Sequence, residues 1–435
     1  MKLSIAISAL AVLNFTNAFA PRPIQAPSPI SKTTSASAAV SVSKPFSPSP
    51  SKKTCMSSTT ASSSTAAPSS TMELNEDFQT AMDQVVTTLS TALNNPAMEG
   101  PLKHFTTEYF YACQAASESG VESITAESTA KNMMDALQYG MKFGLGEEKY
   151  QFGSTHTALR GVNGNPEEEK GNLIDFYKFG CDFFRPAMDL QKSLVLGQDG
   201  TEEGAQAALA QIRSQLENGE NVVLFANHQS EADPQVMSCL LEKVDMEKEA
   251  EEIVYVAGHK VTTDTLAIPF SMGRNLICIH SKKHIDADPE TKPTKQKQNL
   301  TAMNGMLGKL KAGGTMIWVA PSGGRDRRDL ESETGYVPIA PFDQKTVDMF
   351  RLMGNKSKVK THYYSVSMVS YDLCPPPDFV EAGVGEQRNV RFVPVGITVS
   401  DELENVGGVE SRHLFTENAF AACQEGYDKL LEKLK

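Results

Sequence analysis

The stretch "VVLFANHQSEADPQV", Val222 to Val236, changes character twice. Its first five residues are apolar and rich in β-branched and aromatic types, which reads as a strand buried on both faces. A polar run follows, and Pro234 then suits the first turn of a helix. A strand running directly into a helix is half of a βα unit, and the alternation continues to the end of the chain. Strands are expected over 221–226, 252–258, 276–281, 315–321, 361–372 and 389–400. Helices are expected over 173–190, 202–219, 233–244, 297–314, 343–354 and 417–434. This predicts an α/β domain over 166–435, with a mixed, largely parallel sheet flanked by helices. In such sheets ligands gather beyond the carboxyl ends of the strands.

Upstream the pattern differs. "ELNEDFQTAMDQVVTTLSTALNN", from Glu73, places Phe78, Met82, Val85, Val86 and Leu89 at helical spacing. Residues 102–119 and 127–145 read as further helices, with no strand pattern between them. A small helical domain is therefore expected over 73–165, and the Gly-, Asn- and charge-rich residues 160–172 read as a linker.

The chain has 435 residues and a net charge of −12. That balance argues against non-specific nucleic-acid binding. Residues 1–72 hold six Lys or Arg and no Asp or Glu, so the remainder carries −18. Lys2 precedes the apolar run "LSIAISALAVL", which is signal-peptide length and too short to span a bilayer. The run leads to "NAFAPRP", Asn17 to Pro23. Residues 1–20 read as a signal peptide and 21–72, rich in Ser, Thr, Ala and Pro, as a disordered transit segment. The pairing resembles the bipartite plastid presequences of algae with secondary plastids, and implies delivery to the plastid stroma. A secreted protein with a Ser/Pro stalk is the other reading. No other apolar run reaches the length of a transmembrane helix. Seven cysteines are scattered without a Cys-x-x-Cys pair, which suits a reducing compartment and offers neither a disulfide framework nor a metal site.

His228 directly follows a strand, and Asp233 lies five residues on. Asp233 before Pro234 suits a helix N-cap. The same carboxylate could hold one ring nitrogen of His228 and leave the other free as a general base. Ser230 lacks the flanks of a nucleophile elbow. Two basic clusters also follow strands: Lys282, Lys283 and His284, and then Arg325, Arg327 and Arg328 after Gly323 and Gly324. Each alone reads as a solvated loop. Together with a candidate base they read as one phosphate pocket, since guanidinium forks suit a phosphate dianion.

"NHQSEADP", "VAG", "PFSMGRNL", "SKKH", "IWVAPSGGRDR", "APFD" and "YDLCPPP" occur here in the order in which the soluble plastid glycerol-3-phosphate acyltransferases carry them. The chain resembles that family, a branch of the His-x-x-x-x-Asp glycerolipid acyltransferases, over most of 73–435. The resemblance implies acyl transfer from acyl carrier protein or coenzyme A to the sn-1 hydroxyl of glycerol 3-phosphate. It implies that His228 is the base, that Asp233 orients it, and that Lys283, His284, Arg325 and Arg327 hold the phosphate. It implies direct attack on the thioester, with no resident cofactor and no metal. Ser230 and Glu231 then become loop architecture.

The sequence departs from the family at His259-Lys260, where the plant enzymes carry Asp-Arg; His259 is expected at the surface. Lys282, Lys283, Lys292, Lys295 and Lys297 form a basic run that either greets an acidic carrier protein or is an ordinary solvated face. Peripheral contact with the plastid envelope is a further expectation. Two other readings remain: acylation of lysophosphatidic acid, and a non-catalytic carrier- or lipid-binding protein on the same fold.

Overall fold

The computed structural model describes residues 73–92, 96–145, 149–163, 173–281, 285–332, 335–376, 387–405 and 411–435. The signal and transit readings, and Lys282, Lys283 and His284, lie outside the described residues. Leu74 to Lys435 belong to one compact unit.

Three helices come first: α1 (Glu76–Ala92), α2 (Pro96–Glu118) and α3 (Ala126–Gly144). Next come β1 (Thr155–His156), β2 (Val162–Asn163), β3 (Leu173–Ile174), α4 (Phe176–Phe184), β4 (Leu194–Gly197) and α5 (Glu202–Glu217). The centre of the chain forms β5 (Asn221–Ala226), α6 (Asp233–Glu242), α7 (Glu247–Glu252), β6 (Val254–Gly258), α8 (Ala267–Met272) and β7 (Asn275–Ile279). The remainder forms α9 (Lys292–Ala312), β8 (Met316–Val319), α10 (Gln344–Ser357), β9 (Thr361–Val369), β10 (Gly396–Val399) and α11 (Ser411–Lys433).

The main sheet has the order β1-β7-β6-β8-β5-β9-β10-β4. Its centre, β7 through β9, is parallel. β9 and β10 pair antiparallel, as do β1 and β7, so the sheet is mixed and mostly parallel, as expected. β5 is buried along its whole length. Its Val222, Leu224 and Ala226 join one apolar cluster with Phe183, Leu240 and Trp318. Val223 and Phe225 join another with Met306, Leu310, Phe350 and Tyr427. Alternate residues of a strand face opposite sides, and both sides are covered by helices. That is why the strand reads as an unbroken apolar run.

The helical segment shares its core with the sheet, because α1–α3 residues such as Phe78, Tyr109 and Met133 lie in the same cluster as Leu224 and Trp318. Tyr109 stacks on Phe183 of α4 at 4.4 Å between ring centroids, and its hydroxyl donates to the Phe183 carbonyl at 2.9 Å. Thr155–His156 also departs from the reading of 73–165 as a helical domain. It extends the sheet by pairing with Leu276 and Ile277. A two-residue strand has no periodicity to reveal it. The short β4, equally unreadable, pairs parallel with β10. The strand expected over 389–400 is confined to 396–399.

Gly273 closes α8 where it meets α4. A Cβ there would lie 2.2 Å from the Phe176 carbonyl oxygen. Gly273→Ala must therefore push the two helices apart, costing about 1–3 kcal/mol. Its thermal midpoint should fall in calorimetry. An unchanged midpoint would show that the α4–α8 contact tolerates a methyl group.

Candidate active site

His228 stands two residues beyond β5, and Asp233 is the first residue of α6. Their side chains meet: His228 Nδ1 lies 2.7 Å from Asp233 Oδ2. An ionised carboxylate can only accept, so Nδ1 carries the proton and Nε2 keeps its lone pair. The ring is partly exposed, at 27%, while Asp233 is fully buried. The base can thus be reached and its orienting partner cannot.

Four further donors converge on Asp233. The Gln229 backbone N–H donates to Oδ2 at 2.8 Å. The Ser230 backbone N–H and hydroxyl donate to Oδ1, each at 3.1 Å, and the Ser370 hydroxyl donates to Oδ1 at 2.6 Å. Burial alone would raise the Asp233 pKa. The hydrogen bond and charge of His228 outweigh it, helped by Ser370 and the Gln229 N–H, and the carboxyl is held below its ordinary range. Ser230 is buried and its hydroxyl is spent on Asp233, so it is loop architecture and not a nucleophile. The N-cap reading of Asp233, compatible with the pairing, is not met: Ala232 occupies the cap position and Asp233 is the first residue of the helix.

The residues that flank His228 tie the strand ends together. Asn227 is fully buried. It donates to the Met368 carbonyl and to Asp326 Oδ2, both at 3.1 Å, and accepts from the Met368 N–H at 2.7 Å. Gln229 accepts from the Ser370 and Tyr371 N–H groups and donates to the Tyr427 hydroxyl at 3.0 Å. The Asp326 backbone N–H donates to the His228 carbonyl at 2.6 Å. Burial pushes the Asp326 carboxyl up to about 6, against hydrogen bonds from Ala340 and Asn227. Trp318 meets the His228 ring edge-on, 5.9 Å between centroids.

Asp326 separates Arg325 from Arg327, so the arginine loop is fixed to the backbone of the base. Within it the three arginines differ. Arg328 is used within the protein, paired with Asp372 and lying over the Tyr371 ring at 5.0 Å. Arg327 has its Nη1 buried without a hydrogen-bond partner. A buried guanidinium nitrogen left unpaired is costly, and an anion would relieve it. Arg325 lies close enough to Cys374 to influence its thiol. Glu231 pairs with Arg388, which also reaches Asp264 at 3.0 Å. That partly buried bridge braces the loop from outside.

His259, expected at the surface, is partly exposed. It is half-buried against His280, with ring centroids 4.2 Å apart, and its Nδ1 lies 3.2 Å from the Thr262 hydroxyl. Burial, with His280 and Lys295 nearby, lowers its pKa. Asn227, Gln229, Asp326, Ser370 and Arg388 had not been expected at the site. Asn227 and Gln229 alternate with His228 in the chain, the only hint the sequence offers. Among the described residues no group of three or more His, Cys, Asp or Glu is placed to hold a metal, and no helix is long and apolar enough to cross a membrane.

An oriented imidazole at the end of a parallel strand, beside an arginine loop, belongs to a class. The profile of the family described as "Acyltransferase" matches residues 209–369, which span β5 through β9. A chloroplastic glycerol-3-phosphate acyltransferase of Arabidopsis thaliana is 35% identical over 336 residues, covering 75% of this chain and 68% of that protein. Relatives of the same description from Cucurbita moschata and Spinacia oleracea are 39% and 38% identical over 257 residues, 59% of this chain. Those alignments span about half of each relative, 51% and 50%. The chain belongs to the chloroplastic glycerol-3-phosphate acyltransferase family, and it is an acyltransferase.

Asp233's depressed pKa contributes stability that is present above the ordinary carboxylate range and lost as pH falls through the folded-state value. Ser370→Ala removes one donor and makes the depression smaller. Its acid-unfolding midpoint, followed by circular dichroism, should move to higher pH than wild type. A midpoint that does not move would mean the Ser370 hydroxyl is not stabilising the carboxylate.

Proposed function

We propose that this chain transfers a fatty acyl group from acyl carrier protein or coenzyme A to the sn-1 hydroxyl of glycerol 3-phosphate, giving lysophosphatidic acid. This is the opening step of plastid glycerolipid synthesis. The observation that carries the reading is the His228–Asp233 pair with Nε2 free, beside a loop that holds an unpaired buried nitrogen of Arg327. The substrate phosphate engages Arg325 and Arg327. Lys283 and His284 are assigned to it on the sequence resemblance. His228 Nε2 takes the proton of the sn-1 hydroxyl, and the oxygen attacks the thioester carbonyl. Asp233 stabilises the imidazolium that forms. The imidazolium then returns the proton to the leaving thiolate, without an acyl-enzyme and without a resident cofactor.

The proposed location is the plastid stroma, reached through the bipartite leader, with peripheral contact at the envelope where the product is delivered. The proposed carrier is acidic, and the chain itself is acidic, so docking needs a local basic face. α9 begins with Lys292, Lys295 and Lys297, all exposed or half-buried. No role in nucleic-acid binding is proposed.

The test uses the purified full chain with glycerol 3-phosphate and palmitoyl- or oleoyl-acyl carrier protein, following free thiol and lysophosphatidate. Acylation should require glycerol 3-phosphate and fall at least ~100-fold in His228→Ala. Thiol release without lysophosphatidate would mean a thioesterase. Silence with both donors, from folded protein that binds glycerol 3-phosphate, would favour a non-catalytic binding protein.

Reversing Lys292, Lys295 and Lys297 to Glu together should raise KM for the acyl carrier protein at low salt, with kcat held. An unchanged KM would remove α9 from the carrier surface.

A further inference from the structure

The base and the phosphate grip leave one requirement of the proposed reaction unmet. Attack on a thioester turns its carbonyl oxygen into an oxyanion, and a donor fixed beside the base must meet that charge. The donors described around His228 are spent. The Gln229 and Ser230 N–H groups and the Ser230 and Ser370 hydroxyls donate to Asp233. The Asn227 amide donates to Asp326 and Met368, the Gln229 amide to Tyr427, and the Asp326 N–H to the His228 carbonyl. Two buried side-chain nitrogens at this edge have no partner. One is Arg327 Nη1, assigned above to the substrate phosphate, and the other is Trp318 Nε1.

Trp318 is the one tryptophan in the chain. It lies in β8, paired with Leu224 of β5 on one side and Tyr255 of β6 on the other. A position inside a sheet, with strands on both sides, is a rigid mount for a functional group. The indole stands almost perpendicular to the His228 imidazole, 84° between planes and 5.9 Å between centroids. The Tyr255 ring packs on it from β6 at 5.8 Å, and the Tyr255 hydroxyl donates elsewhere, to the Pro234 carbonyl at 3.3 Å.

Trp318 is 4% exposed. A buried indole N–H ordinarily finds an acceptor, and leaving it without one is costly. The indole nitrogen donates and never accepts, so the group that suits it is an acceptor oxygen. It also carries no charge, which suits a carbonyl better than the phosphate held by the arginines. The hydroxyl oxygen that His228 Nε2 activates must come within bonding distance of the thioester carbon. The carbonyl oxygen therefore lies close to the imidazole, in the neighbourhood that the indole shares. The imidazole is the open member of the pair, at 27% exposure, so the thioester approaches along it.

We propose that Trp318 Nε1–H is the oxyanion donor of this site, a further catalytic residue that takes the thioester carbonyl oxygen of the acyl donor. The inference rests on the acyl transfer assigned above. As the sn-1 oxygen bonds to the carbonyl carbon, its proton passes to His228 Nε2. The C=O π pair moves onto the carbonyl oxygen, where the indole N–H meets it. When the C=O bond re-forms, the C–S bond breaks and the thiolate leaves with the proton from His228. The indole proton stays on its nitrogen throughout.

The experiment reads the indole itself. The full chain made with 15N-labelled tryptophan has a single indole N–H signal, that of Trp318. The probe is a palmitoyl-coenzyme A analogue with a methylene inserted between carbonyl and sulfur, which keeps the carbonyl and cannot release a thiol. The signal should move downfield as the analogue is added and stay in place with coenzyme A alone. Trp318→Phe keeps an aromatic ring and deletes the N–H, so kcat should fall ~10²-fold or more while KM for glycerol 3-phosphate is unchanged. An indole signal that stays in place while the analogue binds, or a Trp318→Phe enzyme that keeps the wild-type kcat, would overturn the proposal. If Trp318→Phe does not fold, the wild-type titration decides. Turnover by a wild-type enzyme whose indole does not respond removes this assignment and leaves the reaction standing. Absence of acyl transfer to glycerol 3-phosphate removes both.

Discussion

Everything at this site depends on one buried carboxylate. Asp233 has no exposure to water, so its charge must be met wholly from within. It is met by five donors, which come from the imidazole, two backbone amides and two hydroxyls. All but Ser370 belong to the tight turn between β5 and α6. The turn is therefore folded around the charge, and the imidazole is one of the groups that the charge holds in place. Loss of the carboxylate would release the turn as well as the base. For this reason the Asp233 side chain is better described as the centre of a small folded unit than as an accessory to His228.

The unit is carried outward by amides. Asn227 and Gln229 sit on either side of His228 and point into the protein, where they saturate the end of β9 and reach the Asp326 loop and α11. In a parallel sheet, neighbouring strands end at the same edge but nothing in the ladder fixes what their loops do next. Here the fixing is done by side-chain amides, which offer donor and acceptor together. The β5, β8 and β9 loops become one rigid body, and a base on the first is held at constant distance from arginines on the second. A base held at a fixed distance from a second anchoring group is what positions a small substrate for reaction.

The legible parts of the sequence were those with a period or a sharp chemical contrast. β5 was readable to the residue because burial on both faces leaves no polar position after Asn221 in "NVVLFA". The pairing of His228 with Asp233 was readable because the spacing brings a strand end and a helix start together. β1 and β4 were not, since two to four residues carry no period and their place in the sheet is set by the strands they join. Asn227, Gln229 and Ser370 were not, because a buried amide and an exposed one look alike in a sequence. The contact of His259 with His280 was hidden for a related reason: the two are neighbours only through the pairing of β6 with β7.

The arginines show the same limit most clearly, and show what geometry adds. Arg325, Arg327 and Arg328 all follow β8 and by pattern each suits an anionic ligand, whereas nothing in the sequence singled out Arg274 or Arg388. In the folded chain Arg328 is taken by Asp372 and Arg388 by Glu231 and Asp264. Arg274 is turned into the core against Ser238 and Cys181. Arg327 keeps a buried nitrogen unmatched. A protein gains nothing in stability from an unmatched buried donor, and an arriving anion would relieve it. Arg274 Nε shares that lack of a partner in the core, so what sets Arg327 apart is its place in the loop tied to the base.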